Sequence, residues 1–168
     1  GRLHPQKGYD DLIAAFAASK LPRTGWQLDI LGDGILSEEL KEQASNLGVK
    51  GVVHFHGWQQ DTTPWLSQAE VFVMPSRYEG SPNALIEAMQ AGLWCITSDA
   101  PGCAELIQNG RTGQIVPIGD RDSLTYALNA CHDNRISKPT DHRLALQPFY
   151  PQRVYAVWQS VIDKALSS

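Results

Sequence analysis

Short apolar runs alternate with amphipathic segments along most of the chain. Apolar runs bounded by glycine or proline predict strands at 26–31, 52–56, 70–74, 94–97 and 114–116. Apolar residues at helical spacing predict helices at 8–19, 64–68, 83–90, 104–108 and 123–131. Ser37 suits the N-cap of a further, polar helix that continues to Leu47. Because parallel strands need crossover connections, usually helical, this order predicts an α/β fold with a doubly wound, mostly parallel sheet.

The last part of the chain follows a different pattern. Residues 134–149 carry prolines and scattered charges, which predict a connecting stretch. Residues 150–168 predict a C-terminal amphipathic helix, whose apolar stripe is Val154, Val157, Trp158, Val161 and Ile162. The polar face of that helix is not notably basic, so the stripe indicates packing rather than a membrane surface. The prediction is a Rossmann-like domain over 1–133, a connector over 134–149 and a helix over 150–168.

Composition narrows the class of protein. The 168 residues include 14 Lys and Arg against 18 Asp and Glu, a formal net charge of −4. This balance disfavours a nucleic-acid partner, since binding to the phosphate backbone needs a basic face. Cys95, Cys103 and Cys131 form no C-x-x-C pair, which favours reduced thiols in a cytoplasmic protein. No apolar run approaches the roughly 18–20 residues of a membrane span.

Candidate ligand-binding residues lie in the loops that follow the strands. In an open parallel sheet, ligands bind outside the carboxyl ends of the strands, where these loops converge. In the segment after the third predicted strand, Ser81 suits a helix N-cap and Pro82 the first helical position. The next N–H groups, at Asn83 and Ala84, have no partner within the helix and predict a phosphate site.

Two carboxylates flank this predicted phosphate site. Glu87 shares a helix face with Asn83 and Ala84, so it can accept hydrogen bonds from ligand hydroxyls. Glu79 lies in the loop before the helix and can contact a second polyol. A diol, a phosphate and a polyol in sequence describe a nucleotide-sugar.

The spacing of these residues resembles a known family. Glu79 and Glu87, inside E-G-S-P-N-A-L-I-E-A-M-Q-A-G, resemble the motif of the C-terminal, donor-binding domain of retaining nucleotide-sugar glycosyltransferases of family four, the glycosyl transferases group 1. The opening G-R-L-H-P-Q-K-G is similar to that family's diphosphate loop. L-G-D-G, F-H-G, V-M-P-S and P-G-x-x-E with G-x-x-G follow in the same order, so the resemblance covers residues 1–117.

The resemblance implies one half of a two-domain GT-B fold and a set of roles. Arg2 and Lys7 would neutralise the donor diphosphate, Glu79 would contact the transferred sugar, and these three form the expected catalytic set. Glu87 would hold the ribose. The other expected donor-binding residues are Gly1, Gly32, Gly34, Gly80, Ser81, Asn83, Ala84 and Leu85. Members of the family transfer with retention of configuration and without a bound metal, so no cofactor is expected.

The resemblance also implies partners outside these residues. An N-terminal domain would bind a glycan or glycolipid acceptor, and a strand leading into Gly1 would be the central strand of the sheet. The chain by itself would then bind the donor poorly and transfer nothing. Peripheral membrane association of the full-length enzyme is a further expectation. Ser81 stands where the family often has an aromatic residue, which changes the expected shape of the sugar pocket.

Other hypotheses remain open at this point. The chain could hold a nucleotide-sugar or sugar phosphate without transferring it, or belong to a receiver or flavin-binding class, although the acidic or phosphate-binding loops of those classes are absent. UDP-, GDP- and ADP-sugars are not distinguished. Some candidates also have structural interpretations: Glu79 paired with Arg77, Asp33 in a turn, and Glu105 orienting a helix. His54 and His56 have metal-ligand spacing, but structural roles are favoured for both.

Overall fold

The computed structural model describes residues 1–133. Its strands are β1 (Leu28–Ile30), β2 (Val53–Phe55), β3 (Val71–Met74), β4 (Trp94–Ser98) and β5 (Gly113–Val116). Its α-helices are α1 (Tyr9–Ala18), α2 (Ser37–Asn46), α3 (Thr63–Gln68), α4 (Asn83–Gln90) and α5 (Arg121–His132). Single 3-10 turns form at Pro5–Lys7, Leu21–Arg23 and Ala104–Leu106. The predicted connector and C-terminal helix lie outside the described residues.

All strand pairs in this part of the chain are parallel. β1 pairs with β2, with Leu28 opposite Val53. β4 lies between β3 and β5, with Cys95 opposite both Phe72 and Gly113. Each parallel pair is joined by a crossover that contains a helix or a 3-10 turn, as the alternation predicts. The α/β class with parallel strands is confirmed.

Helices cover both faces of the larger sheet. Trp94 and Ile96 of β4 point to one face, where they share a buried core with α1, α2 and α5. Cys95 points to the other face and packs in a second core with Leu85 and Met89 of α4. This alternation follows from the two-residue period of a strand. Within residues 1–133, no helix combines the length and the hydropathy that a membrane crossing needs.

A cavity of about 670 Å³ lies between β1 and β3, which belong to different sheets. It is lined by every residue of both strands, and at their carboxyl ends by Gly1, Lys7 and Glu87. The Gly1 nitrogen donates to the Leu31 carbonyl at 2.5 Å, and the Leu3 N–H donates to the Asp33 carbonyl at 2.9 Å. The first residues therefore run beside the chain leaving β1. The central strand predicted to precede Gly1 stays a prediction.

Two local predictions are wrong. Ser37 was expected to cap α2, but its own N–H donates to the Gly34 carbonyl at 3.1 Å, so the helix already begins at Ser37 and Leu36 is its N-cap. Residues 104–108 were expected to form a helix and form only the turn Ala104–Leu106. The backbone at Ile107 is extended, which ends the turn there.

Gly8 joins the first 3-10 turn to α1 at a point of close contact. It caps α1 in the left-handed region, with φ of 67°. A Cβ added at Gly8 would collide with the carbonyl oxygen of Pro75, the residue that follows β3. Only glycine tolerates both the conformation and the contact. The turn Pro5–Lys7 is therefore packed directly against the loop after β3.

We expect Gly8→Ala to destabilise the chain more than Gly48→Ala. Both glycines are left-handed, with φ of 67° and 71°, but a Cβ at Gly48 meets nothing within 4 Å. The conformational penalty, roughly 1–2 kcal/mol, is common to both variants. Collision with Pro75 should add about 1–3 kcal/mol to Gly8→Ala alone. Urea unfolding of both variants measures the difference, and equal losses of stability would contradict the packing described.

Candidate functional site

Lys7 and Glu79 form an ion pair at the carboxyl end of the cavity. The Lys7 Nζ lies 2.6 Å from Glu79 Oε1, and the Ser76 hydroxyl donates to the same oxygen at 2.6 Å. The Glu79 side chain is only 4% exposed, against 24% for Lys7. A carboxylate that is nearly excluded from water is stabilised by such hydrogen-bond partners. The two residues that the sequence singled out in separate loops are thus in direct contact.

Backbone hydrogen bonds hold the two loops side by side. The Arg77 N–H donates to the Gln6 carbonyl at 2.7 Å. The Gln6 side-chain amide donates in turn to the Tyr78 carbonyl at 2.9 Å. The turn Pro5–Lys7 and the loop 76–79 therefore form one unit, with Lys7 and Glu79 at its end.

The guanidinium group of Arg77 joins this unit to α1. It donates to both oxygens of Asp10, at 3.0 and 2.8 Å, to Asp11 at 2.6 Å, and to the Pro5 carbonyl. Arg121, at the start of α5, donates to the other oxygen of Asp11 at 2.6 Å. Two carboxylates and two guanidinium groups thus balance each other.

The pKa of Asp10 shows which effect dominates in this cluster. Burial by itself would raise the pKa of Asp10, but hydrogen bonds and charge from Arg77 outweigh burial and lower it. The same bond raises the pKa of Arg77. Because the folded-state pKa of Asp10 is lowered, its ion pair stabilises the fold above the unfolded-state pKa. That contribution is lost as pH falls through the folded-state value.

Tyr9 lies beside the Lys7–Glu79 pair. Burial, helped by the Glu79 carboxylate, raises the pKa of Tyr9 to about 12. A Cβ added at Gly1 would lie 3.2 Å from the Tyr9 hydroxyl, so the tyrosine borders the N-terminal loop. Its hydroxyl is protonated at neutral pH and is available as a hydrogen-bond donor.

The start of α4 differs from the predicted cap. Asn83 is the first helical residue and Pro82 is the N-cap, so Ser81 does not cap the helix and Pro82 is not its first residue. The Ser81 hydroxyl donates to the Asn83 side chain at 2.9 Å, and the Asn83 N–H donates to the Ser81 carbonyl at 3.0 Å. The turn closed by these bonds occupies the Asn83 N–H. The Ala84 N–H has no acceptor among the described residues.

Glu87 lies on the face of α4 that lines the cavity, together with Ala84. The Thr62 hydroxyl donates to Glu87 Oε2 at 3.2 Å. Gly1 and Lys7 line the same cavity, so the predicted ribose-binding carboxylate and the predicted phosphate-binding cation face one space. Glu87 itself is exposed, which leaves it accessible to a ligand.

The remaining predicted residues are more scattered. Arg2 is exposed and makes no hydrogen bond or ion pair with another residue of the described range. A Cβ at Gly32 or Gly34 would collide with the backbone of Gly1 or Leu3, so these glycines admit the N-terminal segment. Three others do not line the cavity: Gly80 and Ser81 are exposed, and the Leu85 side chain is in the core. The donor-binding roles of all these residues stay predictions.

The structural interpretations of three other residues have clear outcomes. The pairing of Glu79 with Arg77 is wrong, because Glu79 pairs with Lys7 and Arg77 pairs with Asp11. Asp33 is a turn residue, since its carboxylate accepts the Gly34 N–H at 2.7 Å. Glu105 accepts the Gly102 N–H at 2.8 Å and so fixes the local turn.

The His56 side chain contacts two neighbouring elements. His56 lies 2.6 Å from Asp29, and its ring centroid lies 4.1 Å from that of Trp65. Within residues 1–133, no three His, Cys, Asp or Glu side chains converge into a metal-binding group. His56 thus connects β1, β2 and α3.

Sequence reasoning missed the residues that support the ion pair. Ser76 and Thr62 bond to the two glutamates, and Tyr9 borders them. A signal was present for the acidic cluster, because Asp10 and Asp11 are consecutive carboxylates in a segment predicted to pack as a helix. Two such residues need cations nearby, and Arg77 is a loop cation without an assigned role.

Comparisons with known proteins show the family of the chain. The family model described as "Glycosyl transferases group 1" matches residues 1–134. The lipopolysaccharide core biosynthesis glycosyltransferase LpsE of Rhizobium meliloti (strain 1021) is 38% identical over 128 residues, which are 76% of this chain and 36% of that protein. The UDP-Gal:alpha-D-GlcNAc-diphosphoundecaprenol alpha-1,3-galactosyltransferase of Escherichia coli is 35% identical over 141 residues, 81% of this chain and 36% of that protein. The chain therefore spans about a third of the length of these relatives.

Solved structures show the same fold. The apo form of the lipopolysaccharide outer core galactosyltransferase WaaB superposes with a TM-score of 0.85 at 28% identity, covering 98% of this chain and 48% of that one. Anabaena HepE, solved in complex with UDP and glucose, superposes with a TM-score of 0.83 at 24% identity, covering 100% of this chain and 47% of that one. The architecture is one Rossmann-like half of a GT-B fold, and the chain belongs to the group 1 glycosyl transferase family.

Proposed function

We propose that this chain is the donor-binding half of a retaining, metal-independent glycosyltransferase. The enzyme would move a sugar from a nucleoside-diphosphate-sugar to a glycan or glycolipid. The observation that carries the proposal is the Lys7–Glu79 pair at the carboxyl end of a cavity that Glu87 also lines. A cation that pairs with one carboxylate and shares a cavity with another suits a ligand that carries a diphosphate and hydroxyl groups.

Lys7 has the capacity to bind phosphate while it stays paired. An ammonium group has three donor hydrogens. One of them is used by Glu79 at 2.6 Å, and the others are available to phosphate oxygens. In this role Lys7 stabilises the negative charge that develops on the departing diphosphate, where a preorganised cation contributes most. Arg2 supplies a second cation in the same proposal.

Glu79 has one oxygen left for the sugar. Its Oε1 accepts from both Lys7 and Ser76, whereas its Oε2 accepts from no described residue. A carboxylate whose orientation is fixed through one oxygen can present the other at a constant position. We assign that second oxygen to a hydroxyl group of the transferred sugar.

The start of α4 would bind the nucleoside side of the donor. Glu87 Oε2 accepts from Thr62, which leaves Oε1 for a ribose hydroxyl. The free Ala84 N–H lies on the same lining and is suited to a phosphate oxygen. Uridine diphosphate is the first donor to test, because one relative at 35% identity is named for UDP-Gal.

In this proposal, the acceptor does not bind to the residues described so far. Relatives are named for lipopolysaccharide core and diphosphoundecaprenol-linked acceptors, which supports a cell-surface glycan or glycolipid. An N-terminal domain would bind that acceptor. A cytoplasmic location and peripheral membrane association complete the proposal, and the three unpaired thiols are compatible with the first.

Calorimetric titration of the full-length protein with UDP, GDP and ADP tests the donor class. One diphosphate should bind selectively, and its monophosphate should bind more weakly. Glu87→Ala should weaken that binding by about 10–100-fold, since hydrogen bonds to a charged group contribute roughly 1.5–3 kcal/mol.

Glu70→Ala is the matched control for this titration. Glu70 is also an exposed carboxylate that lines the cavity, but it lies at the amino end of β3, away from Lys7. Its removal should leave the dissociation constant unchanged. Equal affinity in the wild type and Glu87→Ala would remove Glu87 from the ribose site, and no binding of any diphosphate would contradict the proposed function.

Lys7→Ala should lower turnover of the full-length enzyme by about 10²–10³-fold, because it removes charge stabilisation of the leaving group. The effect should fall mainly on kcat, since the stabilisation is greatest in the transition state. Steady-state kinetics at saturating acceptor measure it. Unchanged turnover would exclude this role for Lys7.

Two further variants distinguish the loss of the Lys7 charge from the effect of an unpaired Glu79 carboxylate. Lys7→Ala leaves the nearly buried Glu79 carboxylate without its cation, so Lys7→Ala/Glu79→Gln tests whether the loss comes from that unpaired charge. Turnover that recovers in the double variant would show that Lys7 only neutralises Glu79. Lys41→Ala removes an exposed pair with Glu38 and should have no effect on turnover.

A further inference from the structure

Three consecutive residues of the first turn meet three consecutive residues of the loop after β3. Pro5 accepts from the Arg77 side chain, Gln6 bonds to the backbone of positions 77 and 78, and Lys7 pairs with Glu79. The contacts run in the same order along both segments. The position of Lys7 is therefore set by the contacts that precede it.

Arg77 and Glu79 contact different partners although they are two residues apart. Glu79 pairs with Lys7 at the cavity. Arg77 forms a two-bond fork with Asp10 and bonds to Asp11, whose side chain is 8% exposed. The loop is thus anchored on α1 by one side chain and, with another, pairs with Lys7, which lines the cavity.

The Arg77 side chain bonds to residues on both sides of Lys7 in the sequence. Pro5 lies before Lys7 at the start of the 3-10 turn, and Asp10 lies after it in the first turn of α1. Within the turn, the backbone supplies little restraint beyond the Lys7 N–H to the His4 carbonyl at 2.9 Å and the Gly8 N–H to the Pro5 carbonyl at 3.4 Å. One guanidinium group that bonds both flanks therefore fixes the backbone from which Lys7 projects.

We propose that Arg77 is a positioning residue that holds Lys7 and Glu79 in the arrangement that binds the donor. This inference rests on the proposed function, because the pair is assigned to the donor. Arg77 touches neither the cavity nor, in this assignment, the ligand. Its effect is transmitted through Pro5 and Asp10, and misplacement of a catalytic group by a small distance is enough to slow a reaction strongly.

Arg77→Lys tests this proposal with the charge retained. A single ammonium group cannot reproduce a planar fork to Asp10 together with bonds to Asp11 and Pro5. Arg121→Lys is the matched control, because Arg121 is a second arginine on Asp11 that makes no bond to the turn or the loop. A purely structural role of neutralising the acidic cluster would give the two variants similar properties.

Hydrogen exchange supplies a readout that does not depend on activity. In Arg77→Lys the backbone amides at positions 7 and 77 should exchange about tenfold faster than in the wild type, because the bonds to His4 and Gln6 open more often. In Arg121→Lys both rates should stay within about twofold of the wild type. Unchanged exchange in Arg77→Lys, or equal changes in both variants, would overturn the proposal.

Kinetics of the full-length enzyme complete the test. Arg77→Lys should lower kcat by about tenfold with the acceptor KM unchanged, while Arg121→Lys keeps wild-type turnover. Faster exchange with undiminished kcat would show that Arg77 holds the turn without serving the reaction, and would overturn the positioning role. If the wild type binds no nucleoside diphosphate and transfers no sugar, the proposed function fails, and the positioning role fails with it. The exchange data would still show whether Arg77 clamps the turn.

Discussion

The contact between the Gly8 backbone and the Pro75 carbonyl is the constraint on which the site depends. Since no side chain separates the two segments, the turn Pro5–Lys7 lies directly on the loop that follows β3. Every later contact between these segments requires that approach, including the pair of Lys7 with Glu79, whose partners lie 72 positions apart in the sequence. The sheet places the loop after β3 at its carboxyl edge, and the close contact at Gly8 places Lys7 beside that loop.

The charged groups around these loops fall into two sets with different degrees of saturation. The first set lies on α1 and α5 and in the loop after β3, and its members bond mainly to one another: Asp10, Asp11, Arg77 and Arg121. The second set is the Lys7–Glu79 pair, which leaves ammonium hydrogens and one carboxylate oxygen without a partner among the described residues. A saturated buried network favours one arrangement of the chain, whereas an incomplete one can be completed by a ligand. Ion pairs thus stabilise the fold in the first set and are open to a ligand in the second.

The local fold follows closely from the sequence, and the contacts within the site do not. The pattern predicts α4 at 83–90, as observed, and β3 within one residue, because Pro75 and Gly92 mark the ends of regular segments. The predicted caps at Ser37 and Ser81 fail, since nearby backbone carbonyls close the turn first. Motif spacing singles out Lys7, Glu79 and Glu87 but not their pairing. The alternative structural interpretation of Glu79 pairs it with its neighbour Arg77, whereas the observed partners of Arg77, Asp10 and Asp11, lie 67 and 66 positions away. Such long-range choices depend on packing that no local pattern encodes.

The balance of charge at the mouth of the cavity bears on how a donor would be held. Of the four charged residues assigned to the donor, Lys7 and Glu87 line the cavity; with Arg2 and Glu79 included, two cations stand against two carboxylates and the formal charges cancel. The four side chains together carry no net charge, so what a dianionic diphosphate gains from them depends on how much nearer its oxygens lie to the two cations than to the two carboxylates. Weak attraction in the ground state is compatible with fast transfer, because only interactions that strengthen as charge moves to the leaving group accelerate the reaction. Lys7, already oriented by Glu79, gives its full benefit at that step, and the positions of both residues therefore matter more than the total charge.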